Sequence, residues 1–169
     1  MARKTFFSFH YVPDNWRASQ VRNMGVLEGN PPASDNAWEE VTKGGDAAIE
    51  RWIAGQMAGR TAAVVLIGSG TKGRKWIKHE IRKAWGDGLG VLGVYIHHLR
   101  DRNEQQSRKG GNPFDDFTLQ KNGQTVSMSS VVKAYDPPFT VSTSAYAHIK
   151  NNLTDWIEEA VTIRKNHKS

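Results

Sequence analysis

Two short apolar runs with one amphipathic segment between them constrain the fold more than any other feature of the sequence. Residues 62–67 and 91–96 carry no charged side chain, which is typical of strands that are buried on both faces of a sheet. Between these runs, residues 74–85 repeat apolar side chains at helical spacing. A strand, a helix and a second strand in this order favour a parallel pair of strands, so the sequence predicts an α/β fold.

The rest of the chain extends this alternation of strands and helices. An aromatic run at residues 5–11 predicts a first buried strand, and residues 26–27 predict a short second one. Helices are expected near Asp14 and Asp46, each of which can cap a helix N-terminus, and from about Ser144. We therefore expect a central parallel sheet with helices on both faces and the strand order 2-1-3-4-5, in which the first strand is central.

Length and composition favour a single domain. A chain of 169 residues with 38% hydrophobic and 24% charged residues can bury one core. No segment has the pattern of a signal peptide or a membrane span, so we expect one cytoplasmic domain over residues 1–169. The absence of cysteine excludes disulfides, thiolate metal sites and a cysteine nucleophile. The net charge of +6 makes an anionic partner plausible.

The second half of the chain is less regular. Residues 97–117 are polar and are interpreted as an ordered insertion that Phe114 and Phe117 anchor. An Asn-Gly pair at residues 122–123 predicts a tight hairpin turn. The basic end, residues 164–169, is expected to be a frayed tail.

Glu80 is the lone acid of a strongly basic segment. On a helical wheel it falls within the apolar half of the helix over residues 74–85, whereas most of the bases point to the other half. One interpretation is structural: Glu80 pairs with a buried arginine or lies at the helix edge. The other is functional: a cleft carboxyl with a raised pKa suits acid–base chemistry or the stabilisation of positive charge.

Three segments are expected to meet at one end of the sheet. The predicted first strand ends at Ser8, Phe9 and His10, and the strand at residues 62–67 is followed by a small-residue loop that contains Ser69. Ligands of open parallel sheets bind beyond the carboxyl ends of the strands, where the chain connections diverge. Glu80 lies on the helix that leaves this loop, and the helix start offers backbone N–H groups suited to phosphate. The sequence therefore predicts a cleft at this edge.

Several motifs carry a family resemblance: residues 6–11, 44–50, 64–69, 76–81 and 112–114. Together they resemble the TIR-like family formerly described as a domain of unknown function, which includes the TIR-like (ThsB-like) subunits of the Thoeris anti-phage system. The resemblance implies a flavodoxin-like three-layer sandwich with a mainly parallel five-stranded sheet. It also implies an enzyme that cleaves NAD, its substrate, at the nicotinamide–ribose bond without a further cofactor or a metal. In Thoeris it implies that ADP-ribose is cyclised to a diffusible signal for a separate effector protein.

The resemblance places the family's catalytic glutamate on Glu80, within a Trp-x-x-x-Glu stretch that begins at Trp76. The expected substrate-binding residues are Ser8, Phe9, His10, Asp46, Ser69 and Trp76. Each also has a structural interpretation: Asp46 as a helix cap, Trp76 as core, His10 as a solvated or capping group, and the serines as partners of backbone groups. The long segments 29–45 and 97–117 are expected to supply a cover, with at least one bordering the Glu80 cleft.

Other functions fit the residues less well. A phosphoacceptor receiver would need an Asp where Gly68 stands, and an FMN flavodoxin would need a phosphate loop after the first strand. A nucleic-acid binder could use the basic helix face, but no outward aromatic side chains accompany it. The remaining alternative is a non-catalytic TIR-like adaptor that acts through protein contacts, and assembly into a homo-oligomer is compatible with either function.

Overall fold

The computed structural model describes residues 3–24 and 43–169. The strands in these residues are β1 (Thr5–Ser8), β2 (Ala62–Ile67), β3 (Gly90–Tyr95), β4 (Thr118–Lys121), β5 (Gln124–Ser127) and β6 (Ala134–Tyr135). The helices are α1 (Tyr11–Arg22), α2 (Gly45–Met57), α3 (Lys75–Gly86) and α4 (Ser142–Asn166), with 3-10 turns at Pro113–Asp116 and Met128–Ser130.

The central sheet is parallel, as the sequence predicts. Its order is β1-β2-β3-β6, and the register sets Ser8 beside Val65 and Ile67 beside Tyr95. Every residue of β2 and β3 is buried, because helices cover both faces of these strands.

Two core layers lie on opposite faces of the sheet. One contains Ile53 of α2 and Ile81 of α3 against the odd-numbered residues of β2. The other contains Ala18 of α1 and Ile149 of α4 against the even-numbered residues. The alternation follows from the two-residue period of a strand, and each fully buried aliphatic side chain contributes roughly 1.5–3 kcal/mol to stability. This three-layer arrangement confirms the predicted fold class.

The described part of the sheet has one strand fewer than expected. The described residues contribute four strands to it rather than five, and β1 pairs only with β2 at an edge of this described sheet. The expected strand at residues 26–27 lies outside the described residues. The described order β1-β2-β3-β6 agrees with the last four positions of the expected order 2-1-3-4-5, and the carboxyl ends of β1 and β2 are adjacent.

The first strand is also shorter than expected, and Asp14 does not cap the helix. The chain turns after Ser8, His10 occupies the N-cap in extended conformation, and the Asp14 amide bonds to the His10 carbonyl inside the first part of α1. Pro13 fits there because the first turn of a helix needs no donor from its backbone nitrogens.

Long-range contacts anchor the insertion at residues 97–117. Phe114 is fully buried in the core layer beside β2 and β3, and Phe117 is half-buried against it. Arg17, itself buried, donates to the carbonyls of Leu99 and Gln105, both at 2.8 Å. The predicted anchoring by these two phenylalanines is thus confirmed.

Of the two features predicted for the last third of the chain, the structure contains the hairpin turn but not the frayed tail. Residues 122–123 form the predicted hairpin turn between β4 and β5, with φ of 51° and 81°. The basic end is helical to Asn166 rather than frayed, since Arg164 donates to the Trp85 carbonyl at 3.1 Å and stacks over the Trp85 ring.

Gly90 at the start of β3 allows α4 to lie directly on the sheet. A Cβ at this position would come within 2.6 Å of the Val161 backbone nitrogen. We expect Gly90→Ala to lower the stability by about 1–3 kcal/mol because the helix backbone must move, which a thermal melt would show as a lower Tm. Gly86→Ala is the matched control, since a Cβ there meets open space; equal melting of the two variants would contradict this packing.

Candidate active site

A cavity of about 370 Å³ lies along β1, lined by side chains from β1, α1, α2 and α3. Its aromatic lining includes Phe9, Tyr11, Trp52 and Trp76, and the rings of Phe9 and Tyr11 stack with centroids 6.1 Å apart. Glu80 also lines this cavity. Apolar walls with a few polar groups are typical of sites for small organic ligands.

Glu80 is held by the end of β1. The Ser8 hydroxyl donates to Oε1 of Glu80 at 2.9 Å, and Ser8 itself is 2% exposed. Burial of the carboxyl raises the pKa of Glu80 to about 8, and the hydrogen bond from Ser8 opposes this rise. This rise has the direction that the functional interpretation of Glu80 expects.

The arginine partner that one structural interpretation of Glu80 expected is not found among the described residues. Within residues 3–24 and 43–169 its hydrogen-bond partner is Ser8, and no arginine forms an ion pair with it. A carboxyl with a pKa of about 8 is mostly neutral at pH 7. A positive charge placed beside it would favour its ionised form, so the site is suited to a cationic group.

Phe9, His10 and Trp76, three of the expected substrate-binding residues, line the same cavity as Glu80. Nδ1 of His10 is buried without a hydrogen-bond partner among the described residues. Burial, followed by the positive charge of Arg74, lowers the pKa of His10, so the ring is neutral near pH 7. Trp76 packs edge-on against His79.

Three of the predicted site residues, Ser8, Asp46 and Ser69, do not line the cavity, although Ser8 contacts Glu80. The Asp46 side chain is 66% exposed and forms an ion pair with Lys75 at 2.5 Å. Asp46 lies in the first turn of α2, where Gly44 rather than Asp46 is the N-cap. Ser69 is exposed in the loop after β2. The structure thus brings Ser8, Phe9, His10, Trp76 and Glu80 together and leaves Asp46 and Ser69 outside.

Sequence reasoning missed a group of residues that come from α1 and α2. Trp52 and Gln56 are four residues apart on α2 and both line the cavity, together with Arg60 just beyond the helix and Arg22 at the end of α1. The four-residue spacing of Trp52 and Gln56 was a usable signal, because such residues share one helix face. Nothing local in the sequence connects Arg22 to them.

The segments that were expected to cover the Glu80 cleft do not supply the described residues that line the cavity. Residues 97–117 contribute no side chain to the cavity. They instead contact the loop between β2 and α3, where Lys72 and Asp116 form an ion pair at 3.8 Å. The other expected cover, residues 29–45, lies mostly outside the described residues.

The described ranges show neither a metal-binding cluster nor a membrane-spanning helix. Residues 3–24 and 43–169 contain no group of three or more His, Asp or Glu side chains arranged to hold a metal ion. None of the helices in those ranges is both long and apolar enough to cross a membrane.

Comparisons with known proteins cover the cavity residues. The family model described as "Thoeris protein ThsB, TIR-like domain" matches residues 6–101, a range that includes every lining residue except Thr5. The chain is also 37% identical over 120 residues to a protein of Bacillus cereus (strain MSX-D12) named "Putative cyclic ADP-D-ribose synthase ThsB1". The matched segment spans 68% of this chain and 62% of that relative.

Proposed function

The chain belongs to the family of the TIR-like domain of the Thoeris protein ThsB, and from this premise we propose that it cleaves NAD at the nicotinamide–ribose bond. The observation that carries the proposal is the Glu80 carboxyl, held by Ser8 beside an aromatic-walled cavity, with a pKa of about 8. The proposal takes residues 1–169 as a single TIR-like domain.

The charge of the substrate fits this carboxyl. The nicotinamide ring of NAD is cationic, and its departure leaves positive charge on the ribose as an oxocarbenium-like species. A cation beside Glu80 lowers the pKa of the carboxyl, so the bound substrate itself favours the carboxylate form. The carboxylate then stabilises the charge that develops on the ribose, while Ser8 fixes the position of Oε1.

The bond that breaks needs no metal in this scheme. Nicotinamide leaves as a neutral molecule that takes the bonding electron pair, and NAD is a substrate rather than a retained cofactor. Water captures the cation to give ADP-ribose, or a nucleophile within the same ADP-ribose captures it to give a cyclic product. An internal nucleophile wins where it is held closer than water, and the name of the Bacillus cereus relative favours cyclisation. The cyclic product would then diffuse to a separate effector protein.

Product analysis tests the proposal directly. The protein is incubated with NAD, the products are separated by chromatography, and they are identified by mass spectrometry. We expect free nicotinamide together with either ADP-ribose or a cyclic product that is lighter than ADP-ribose by one water. Absence of nicotinamide release at high protein concentration, with and without lysate from phage-infected cells as a trigger, would contradict the proposal.

A non-catalytic adaptor is the second candidate function. Val12 and Trp16, four residues apart on α1, are 85% and 51% exposed, and exposed apolar pairs are suited to protein contacts. This function predicts no NAD turnover in the wild type and loss of self-association in Trp16→Ser. Turnover that persists in Trp16→Ser would favour the enzyme.

Ser8→Ala tests the group that tunes the carboxyl. Loss of the hydroxyl removes a hydrogen bond that lowers the pKa of Glu80, so a smaller fraction is ionised at pH 7. We expect the rate of NAD cleavage at pH 7 to fall about tenfold and the pH profile of kcat/KM to move upward. Ser19→Ala is the control, because the Ser19 hydroxyl donates to the Trp16 carbonyl of its own helix. An unchanged pH profile in Ser8→Ala would contradict this role.

A further inference from the structure

The loop between β2 and α3 determines where the helix that carries Glu80 begins. The loop is closed by its own hydrogen bonds: the Gly68 amide donates to the Thr71 hydroxyl at 2.8 Å, and the Arg74 amide donates to the Thr71 carbonyl at 3.5 Å. Gly68 and Thr71 are both buried. Because α3 starts at Lys75, a displacement of this loop is passed on to the first turns of α3.

Gly68 packs closely against two other parts of the chain. A Cβ at Gly68 would overlap the carboxyl group of Asp14 on α1. A Cβ at Gly110, in the insertion at residues 97–117, would overlap the carbonyl oxygen of Gly68. Contacts this close leave no free space, so the loop cannot move toward either neighbour without displacing it.

The insertion and α1 are tied to each other as well as to the loop. Arg17 on α1 donates to the carbonyls of Leu99 and Gln105 in the insertion. Nη1 of the same arginine pairs with Oδ1 of Asp14 at 3.3 Å, and both side chains are at most 5% exposed. One buried pair therefore holds the insertion through Arg17 and contacts Gly68 through Asp14.

The position of Glu80 is sensitive to small movements of α3. The Ser8 hydroxyl donates to Oε1 of Glu80 at 2.9 Å, which is already in the upper part of the usual range for a hydrogen bond between two oxygens. A further lengthening weakens this bond. Misplacement of a reacting group by about 1 Å can cost about 100-fold in rate.

We infer that the insertion at residues 97–117 positions Glu80 for the reaction, and that Gly110 is the positioning residue through which it acts on the β2–α3 loop. This role rests on the proposed function for the reaction that Glu80 performs. None of the described residues that line the cavity comes from the insertion, so its effect reaches the carboxyl through the loop and α3. The insertion should therefore matter for the chemical step more than for the binding of NAD.

Gly110→Ala and Gly111→Ala form a matched pair that tests this role. Both glycines have φ outside the left-handed region, so alanine fits the backbone at either position. The new Cβ at residue 110 meets the Gly68 backbone, whereas the one at residue 111 lies 2.7 Å from Cδ of Lys72, a flexible side chain that can move. We expect Gly110→Ala to lower kcat about tenfold or more, with KM for NAD changed by less than about twofold. Gly111→Ala should behave like the wild type.

A titration of the Glu80 carboxyl measures its position without any turnover. The glutamate carboxyl carbons are isotopically labelled and followed by NMR, and the Glu80→Gln protein identifies the Glu80 signal. The hydrogen bond from Ser8 opposes the rise in the pKa of Glu80, so Gly110→Ala, which lengthens this bond, should move the titration upward from about 8. In a Ser8→Ala background the bond is already absent, and Gly110→Ala should add no further shift. Destabilisation elsewhere in the fold would not depend on Ser8 in this way.

Arg17→Lys weakens the same arrangement at the anchor of the insertion. Lysine keeps the positive charge beside Asp14 but loses the planar donors that bind the carbonyls of Leu99 and Gln105 together. We expect kcat and the Glu80 titration to change in the same directions as in Gly110→Ala, by smaller amounts.

Several results would overturn the positioning role. They are a Gly110→Ala protein that matches Gly111→Ala in kcat and in the Glu80 titration, a shift of that titration that is the same with and without the Ser8 hydroxyl, or a loss confined to KM. If Gly110→Ala fails to fold, Arg17→Lys decides, and unchanged kcat and titration in that variant refute the role. If the wild type releases no nicotinamide, the proposed function fails, and the titration alone decides whether the insertion positions Glu80.

Discussion

Glu80→Gln protein should bind NAD and cleave it at least about 100-fold more slowly than the wild type, as expected for the loss of one preorganised electrostatic contact. Glutamine keeps the shape of the side chain and can still accept a hydrogen bond from Ser8, so the cavity should retain its form. What is lost is the negative charge that stabilises the developing oxocarbenium ion. Nicotinamide release measured over time, together with NAD binding by calorimetry, checks both parts of this result.

The pH profile adds a second readout for the same residue. If the carboxylate is the active form, kcat/KM of the wild type rises with pH through about 8, the pKa of Glu80 in the free protein. In the complex the cationic nicotinamide lowers that pKa, so kcat should reach its plateau at lower pH. Any residual activity of Glu80→Gln should lack this dependence.

A matched acid provides the control for this prediction. Glu50 is exposed on α2 and does not line the cavity, so Glu50→Gln changes the net charge equally and should leave cleavage unchanged. Full NAD cleavage by Glu80→Gln would refute the assignment of Glu80 as the catalytic residue.

The same substitution should change how stability depends on pH. Glu80 has a pKa of about 8 in the folded protein against an ordinary value of 4.5, so between these pH values the unfolded chain loses a proton that the folded protein keeps. The wild type is therefore relatively most stable below about pH 4.5 and loses stability as pH rises toward 8. The pKa difference corresponds to a decrease of at most about 5 kcal/mol in the free energy of unfolding. The Glu80→Gln protein does not show this decrease, because glutamine does not titrate.

Thermal melts at several pH values measure this effect. Near pH 4.5 the two proteins should have similar Tm values. Near pH 8 the Glu80→Gln protein should melt roughly 10 °C higher, given the usual relation between stability and Tm for a chain of this size. A Tm of Glu80→Gln below that of the wild type at pH 8 would mean that the carboxylate has a stabilising partner, and would contradict its assignment as a desolvated cleft acid.

Much of the fold could be predicted because its signals are local. The uninterrupted apolar character of residues 62–67 and 91–96 reflects burial on both faces of a strand, and both strands are present and fully buried. The Asn-Gly turn at residues 122–123 follows from the conformations those two residues allow. The direction of Glu80 follows from helical periodicity alone, which is why the central residue of the site was found.

Only the tertiary structure decided which side chains share the cavity. Ser8 and Glu80 are 72 residues apart in the chain, and their contact depends on how β1 and α3 pack. Asp46 and Ser69 had plausible positions in the sequence, yet their side chains are exposed outside the cavity. Arg22 and Arg60 come from separate elements that meet only when α1 and α2 lie beside β1. Local periodicity determines which face of an element is buried, whereas the contents of a cavity depend on the relative placement of several elements.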